Sequence, residues 1–435
     1  MRYSPIDPSL FIQNRNRLKL LLKPHSLAVF HSSDVMPTSA DGQHPFVQHT
    51  DILYLSGIDQ EETVLVLCPD AVEEKHREIL FIRETSERIA IWEGPKYTPQ
   101  EASEISGISI VYWTRELESV FRTLVIESET IYLNTNEHLR TEPVVETRDM
   151  RFLKWCMATY PLHHYDRLAP LMNHLRAVKA PQEIRLIRHA GQITEKAFRR
   201  VLSFIQPDVW EFEIEAEIIH EFLKNRSRGP AYASIIASGK NACILHYEHN
   251  DHPCRPGDLV LMDFGAEYAG YASDMTRTVP VNGRFTPRQK AVYNAVLRVL
   301  KAASAMLMPG NTLIEYQKAV GQVMEKELVD LGLLSLADIQ NQSEAAPAYR
   351  KYFMHGISHH LGLNTHDYGN RHRIFEPGMV LTVEPGIYIV DEGIGVRIEN
   401  DIVITADGPD DLMKDIPIEA DHIETLMYSK QRNDI

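Results

Sequence analysis

The chain has 435 residues, too many for one ordinary core and enough for two or three domains. Hydrophobic content of 44% with 24% charged residues is that of a soluble globular protein, and a formal net charge of −15 argues against nucleic acid or an anionic membrane as the main partner. No apolar run reaches the roughly 18–20 residues of a membrane helix, and no signal peptide is evident at the start. Cys68, Cys156, Cys243 and Cys254 lack paired-motif spacing, so the expectation is reduced thiols and a cytoplasmic protein.

In chain order, the first part alternates strands and helices. Asp7-Pro8 suits the start of a helix running to Leu22. Apolar runs at 27–30, 63–68, 79–82, 108–113 and 130–133 read as strands, with helices at 115–125 and 148–159. Residues 1–170 are therefore expected to form a mixed α/β domain with a partly buried sheet and no catalytic cluster. Trp92, in IWEGPKY, reads by itself as a half-exposed loop tryptophan. A boundary is expected near 168–175, with residues 171–435 as the second domain. Pro181 opens a helix with Ile184, Ile187, Ala190, Ile193, Ala197 and Val201 as its apolar stripe, and a second helix covers 211–224. The same grammar recurs after Thr286-Pro287, where Val292, Val296, Val299 and Ala303 share a face and another helix follows. Each helix pair precedes strands carrying two carboxylates, a weak internal duplication.

Those carboxylates pose the chemical question. Residues 380–405, VLTVEPGIYIVDEGIGVRIENDIVIT, read as two strands joined by Asp391-Glu392-Gly393. Glu384 lies inside the first apolar run and Glu399 inside the second. Strand alternation puts Arg397, Glu399 and Asp401 on one face, opposite Ile398 and Ile402. An ionised carboxylate in such company needs a compensating cation. A buried pair with Arg397 is one answer and a metal ion the other. Residues 259–278 repeat the puzzle. Asp263 ends an apolar run, and the Gly-rich piece 265–270 suits a hairpin that returns Asp274 beside it. The segment 354–367, MHGISHHLGLNTHD, adds His355, His359, His360 and His366. Four carboxylates balance two divalent ions before a bridging hydroxide is counted, and that balance favours metal over ion pairs.

In this order, Asp263, Asp274, His359, Glu384 and Glu399 resemble the five ligands of the pita-bread dinuclear metallopeptidases. The wording around them, MDFG…GYASDMTRT, GISHHLGLNTHD, TVEPGIYI and GVRIEND, is similar to that of the Xaa-Pro aminopeptidase (aminopeptidase P) family. Residues 39–58, SADGQHPFVQHTDILYLSGI, resemble that family's first domain, so the likeness covers essentially the whole chain. It implies an α+β fold, an N-terminal mixed α/β domain followed by a pita-bread domain with pseudo-twofold halves.

The resemblance also implies roles. Asp274 and Glu399 would bridge two divalent ions, Asp263 would hold one, and His359 and Glu384 the other. A metal-bridging hydroxide would attack the scissile carbonyl while the ions hold the oxyanion's charge. Oxygen-rich ligation without cysteine favours Mn2+, with Co2+, Fe2+ and Zn2+ as alternatives. Glu384 would shuttle the proton, His366 would donate to the tetrahedral intermediate, and His246, which follows a short apolar strand in GKNACILHYEHN, would bind substrate and assist catalysis. Tyr232, His355, Tyr388 and Arg397 match the proline pocket. Plain alternatives stand beside these roles: strand packing for Tyr232 and Tyr388, a core histidine for His246, a loop histidine for His366. His360 reads as structural, and His249 and His252 as solvated loop residues. In the family, the segment matching Trp92 reaches towards a neighbouring subunit's site, and a homo-oligomer, dimer or tetramer, is implied.

An X–Pro bond is a tertiary amide without an N–H, so an enzyme for it must grip the pyrrolidine ring and the next carbonyl. Three readings compete: an aminopeptidase acting on peptides with proline at the second position, an Xaa-Pro dipeptidase (prolidase) with a shorter cleft, and a pita-bread binding module without catalysis. The intact ligand set argues against the third. The wording of 39–58, and the lack of an extra basic insertion near the pocket, favour the first over the second.

Overall fold

The computed structural model describes residues 3–138, 140 and 144–430. They divide into two units, Tyr3–Arg176 and a second beginning at Ala177. In the first, Asp7 starts α1 (Ser9–Lys19) by accepting the Ser9 N–H at 2.9 Å. The helix ends before Leu22 because Leu20 and Leu21 face solvent and have no apolar surface to bury against. The order continues β1 (Ser26–His31), α2 (Thr50–Ser56), β2 (Val64–Leu67), β3 (Glu78–Ile82), α3 (Glu87–Glu93), α4 (Pro99–Ser106), β4 (Ile110–Trp113), α5 (Leu117–Ile126), β5 (Thr130–Leu133), α6 (Arg148–Thr159), β6 (His164–Arg167) and α7 (Ala169–Ala177). The strands form one mixed sheet in the order β4-β3-β2-β1-β5-β6. Every residue of β1, β2 and β5 is buried, as in a sheet covered on both faces, which is why these strands read as unbroken apolar runs.

Edge strand β6, His-Tyr-Asp-Arg, is not among the expected strands; it is half exposed and too polar to show as an apolar run. One expectation needs correction here. Trp92 is not in a half-exposed loop; it lies on α3, a short helix without a buried residue, and is 81% exposed. The segment 168–175 is occupied by α7, and the units part in that helix's last turn.

The second unit opens with α8 (Pro181–Leu202), where Glu183 accepts the Ala180 N–H at 2.8 Å, and α9 (Glu211–Lys224). Then come β7 (Gly229–Pro230), β8 (Ile235–Ser238), β9 (Leu259–Asp263), β10 (Ala266–Tyr268), β11 (Tyr271–Ala272) and β12 (Thr276–Pro280). A second helix pair, α10 (Pro287–Met306) and α11 (Leu313–Asp330), is followed by α12 (Leu336–Gln340), β13 (Val380–Val383), β14 (Gly386–Ile389), β15 (Ile394–Arg397), β16 (Asn400–Thr405), β17 (Gly408–Asp411) and α13 (Ala420–Lys430). The sheets run β11-β10-β7, β12-β9-β8, β13-β16-β17 and β14-β15.

The stretch 380–405 is not one two-stranded ribbon. It breaks at Glu384-Pro385 and again at Ile398-Glu399, so that β13 pairs with β16 while β14 and β15 close a separate hairpin. Pro385 has no N–H for a ladder. The Glu384 N–H donates instead to Ile357 O at 2.9 Å, and the Glu399 N–H to Thr276 O at 3.0 Å. Both carboxylates thus stand where the chain steps between sheets.

The Asp263–Asp274 segment is tighter than a simple hairpin. β9 and β12 pair antiparallel with Asp263 opposite Thr276, and the smaller β10–β11 hairpin lies between them in sequence. Gly265 makes this closeness possible, since a Cβ there would lie 1.7 Å from Ser273 O. Gly265→Ala is therefore expected to lower stability by about 1–3 kcal/mol in urea unfolding. Gly191→Ala, in mid-helix α8 and in ordinary contact with Met413 at 3.8 Å, is expected to be neutral or to gain about 0.5–1 kcal/mol. Equal effects of the two would refute the close approach at Gly265.

Candidate metal centre

Strand ends and strand breaks deliver the polar side chains to one place. Asp263 ends β9, Asp274 precedes β12, and Glu384 and Glu399 occupy the two breaks. His359 comes from the irregular stretch 355–370, held against β13 by its N–H to Thr382 Oγ1 at 3.1 Å. Its Nδ1 faces His360 O at 3.1 Å, which assigns the proton to Nδ1 and leaves Nε2 as an acceptor. That Nε2 lies 3.4 Å from Asp274 Oδ2 and 3.7 Å from Glu384 Oε1. Donor atoms of Asp274, His359 and Glu399, all buried, fall within 4.8 Å of one another, the spacing of a group that can hold a metal ion.

The carboxylates have too few protons and cations between them. The Tyr232 hydroxyl lies 2.6 Å from Asp263 Oδ1 and 2.5 Å from Asp274 Oδ1, with one proton to give to two acceptors. Arg397 donates to Asp263 Oδ2 at 2.6 Å and, through Nε, to Thr276 Oγ1 at 3.1 Å. Thr276 in turn donates to Glu399 Oε2 at 2.7 Å. Burial pushes the Asp263 carboxyl up against the pull of Arg397, and it pushes Glu384 up to about 7. Glu399 is driven well up by burial and then by the Asp274 charge. Burial works against the charged form of His359, but its contacts with Asp274 and Glu384 outweigh that and raise it. Carboxylates that resist ionisation together become stable anions when a multivalent cation joins them. Mostly oxygen donors with one imidazole nitrogen fit a divalent metal.

A second chain of hydrogen bonds leads away from Asp263. Arg397 Nη1 donates to the Tyr388 hydroxyl at 2.8 Å, and that hydroxyl meets His355 Nε2 at 2.8 Å. His355 Nδ1 faces Gly356 O at 2.9 Å and lies 3.6 Å from Glu384 Oε2. Burial, followed by the Arg397 charge, pushes His355 down to about 3. The His366 ring stands edge-on to His359, with centroids 4.5 Å apart. His246 is exposed, in a turn after the 3₁₀ segment Gly239–Cys243 and not after the strand expected, close enough to His355 for its charge to act there. His360 is buried and bridges to Leu381, away from the carboxylates. His249 and His252 are exposed, and His252 lies 3.1 Å from Asp251.

Three contributors escaped the sequence reading. Thr276 links Arg397 to Glu399. Arg277, wholly buried, donates to Thr276 O at 2.9 Å and Glu399 O at 2.6 Å. Asp401, placed by sequence only on a strand face, accepts the Asp274 N–H at 3.0 Å. The signal was present in SDMTRT: Thr276 and Arg277 alternate faces next to Asp274, and a charged side chain within an apolar strand marks a buried partner as surely as Glu399 does.

This donor set on this scaffold defines a metallopeptidase. Residues 185–406 match metallopeptidase family M24, residues 11–132 match the aminopeptidase P N-terminal domain, and the chain belongs to family M24. It is 36% identical to the Xaa-Pro aminopeptidase of Escherichia coli (strain K12), over 99% of this chain and 100% of that protein, and 35% identical to that of Haemophilus influenzae, over 96% of each. A putative aminopeptidase P from Bacillus anthracis superposes with a TM-score of 0.90 at 34% identity, covering 98% of this chain and 99% of that one. Escherichia coli aminopeptidase P with the inhibitor Pro-Leu gives 0.88 at 34%, covering 99% and 100%. Within the family the chain is a metallo-aminopeptidase of the aminopeptidase P type, with the N-terminal α/β domain and pita-bread domain of that group.

Arg397 is the cation that touches Asp263. Arg397→Met leaves Asp263 buried with only the shared Tyr232 hydroxyl, and the metal-free protein is expected to lose about 3–5 kcal/mol in urea with chelator present. Unchanged stability would show that Asp263 is protonated in the parent and needs no cation.

Proposed function

We propose that this chain is an Xaa-Pro aminopeptidase, hydrolysing the bond between an N-terminal residue and a following proline. The observation that carries the reading is the Asp274–His359–Glu399 donor group. It lies beside Asp263 and Glu384 and adjoins the Arg397–Tyr388–His355 chain. Asp274 and Glu399 would be shared by two ions, Asp263 would hold one, and His359 and Glu384 the other. Two divalent ions bound there, Mn2+ by the chemistry of the donors, would lower the pKa of a water and supply positive charge.

The chain's own groups do the rest. Glu384 takes the proton of the attacking water and passes it to the proline nitrogen, which cannot leave as an amide anion. His366 donates to the oxyanion. His355, Tyr388 and the outlying His246 contact the proline residue and its carbonyl. Tyr232 and Arg397 are held by the carboxylates themselves, which supports ordering the ligands as their first role and gripping the ring as their second.

A homo-oligomer accords with the exposure of Ile91 (79%) and Trp92 (81%) on α3. A cytoplasmic setting is proposed from the composition, and among the described residues no helix is long and apolar enough to cross a membrane.

Peptides of graded length test the substrate. With Mn2+ added, kcat/KM is expected to favour Ala-Pro-Ala and longer Ala-Pro peptides over Ala-Pro, with only the first residue released. Strong preference for the dipeptide would make the enzyme a prolidase. Asp274→Ala tests the ligands: turnover and bound metal should fall together. A variant that keeps parental metal content and turnover would overturn the assignment.

A further inference from the structure

The turn that carries His366 is wound around a buried ion pair that no role above uses. Lys179, between α7 and α8, and Asp367, next to His366, have side chains only 1% exposed, with Nζ 3.1 Å from Oδ2. The first half of the turn is clamped to β13 by backbone bonds from Leu361 N to Val380 O, Thr382 N to His359 O, and Glu384 N to Ile357 O. The second half returns over the pair, the Asp367 N–H donating to His360 O at 2.9 Å. Little else fits inside. A Cβ on Gly362 would lie 2.2 Å from Asp367 Oδ2 and 2.9 Å from Lys179 Cε, and one on Gly369 would lie 1.8 Å from His360 Cδ2. Lys179 is itself fixed, its N–H donating to Gly378 O at 2.9 Å. Its charge is felt by Glu183, which caps α8 and accepts from Tyr271 at 3.1 Å, and by His360.

Stability alone does not account for such a pair. Apolar side chains of similar volume serve a buried turn as well or better than a desolvated ammonium and carboxylate. What the pair adds is direction, because a charge buried at one point admits its counter-charge at one place only. We propose that Lys179 is a positioning residue: through Asp367 it fixes the His366 ring against His359 at the reacting centre. This rests on the reading of His366 as the donor to the oxyanion, and it adds a residue far along the chain to the machinery.

The test uses the metal-loaded, full-length enzyme on Ala-Pro-Ala, with kcat, KM, metal content and thermal midpoint measured for each variant. Lys179→Met is expected to lower kcat by about 10- to 100-fold, the scale of a small misplacement at a reacting centre, with KM and metal content near parental. Removing both charges, in Lys179→Met with Asp367→Asn, should recover the thermal midpoint and leave kcat low. Lys179→Met in a His366→Ala background should add little to the loss from His366→Ala. Parental kcat in Lys179→Met overturns the proposal. So does a kcat that recovers with the midpoint in the double variant, or a loss that multiplies with that of His366→Ala. If Lys179→Met fails to fold, Asp367→Asn alone is held to the same expectations. Should His366→Ala turn over at the parental rate, the oxyanion-donor reading and this inference fall together; an impaired His366→Ala beside an unimpaired Lys179→Met removes this inference alone.

Discussion

Negative charge in a confined space governs the second unit. Asp263, Asp274, Glu384 and Glu399 converge where water is largely excluded, and beside them stand the Arg397 guanidinium, the Tyr232 hydroxyl and the imidazoles of His359 and His355. Each hydrogen bond around them is a partial answer to that excess. Tyr232 divides a proton between two acceptors, Thr276 relays Arg397 to Glu399, and Asp401 engages only the Asp274 backbone. The deficit that remains is what a divalent-cation site presents.

The ends of regular structure are where these groups can be placed. A carboxylate in mid-strand points to one face and shares its neighbours' register, whereas one at a break takes a direction of its own. Glu384 and Glu399 use breaks, Asp263 uses a strand end, and His359 uses an irregular loop pinned to a strand edge. Helices α8 to α11 and the short sheets are regular where the backbone at Glu384, Glu399 and His359 is not, and side-chain hydrogen bonds tie the two together.

Much of this was legible from residues. Asp263 closes an apolar run and Asp274 follows a Gly-rich return, so their proximity could be read from pattern alone. Arg397, Glu399 and Asp401 reach Asp263, Thr276 and the Asp274 backbone respectively, although a strand break separates the first from the other two. The breaks at Glu384-Pro385 and Ile398-Glu399 were hidden, because Val, Ile and Tyr continue on both sides and strand pairing is a long-range property. His246 was placed after a strand for the same reason: Ala-Cys-Ile-Leu is apolar enough for one, yet Gly239 turns the backbone with φ of 54° and starts a 3₁₀ segment. In the first unit, α4 escaped the sequence reading although Thr98 and Glu101 form a capping box at its start, and half-polar β6 offered no signal.

The distribution of the ligands over separate sheets has a mechanical side. Asp263 ends β9 of the β8–β9–β12 sheet and Asp274 lies just before β12, while Glu384 and Glu399 flank the joins of β13 and β16 with the β14–β15 hairpin. With the proposed ligands, ions seated among them tie parts of the backbone more than 100 residues apart (384 − 274 = 110). They then serve as a removable staple in a chain whose four cysteines are all free. Chelation would loosen the second unit as reduction loosens a disulfide-braced domain.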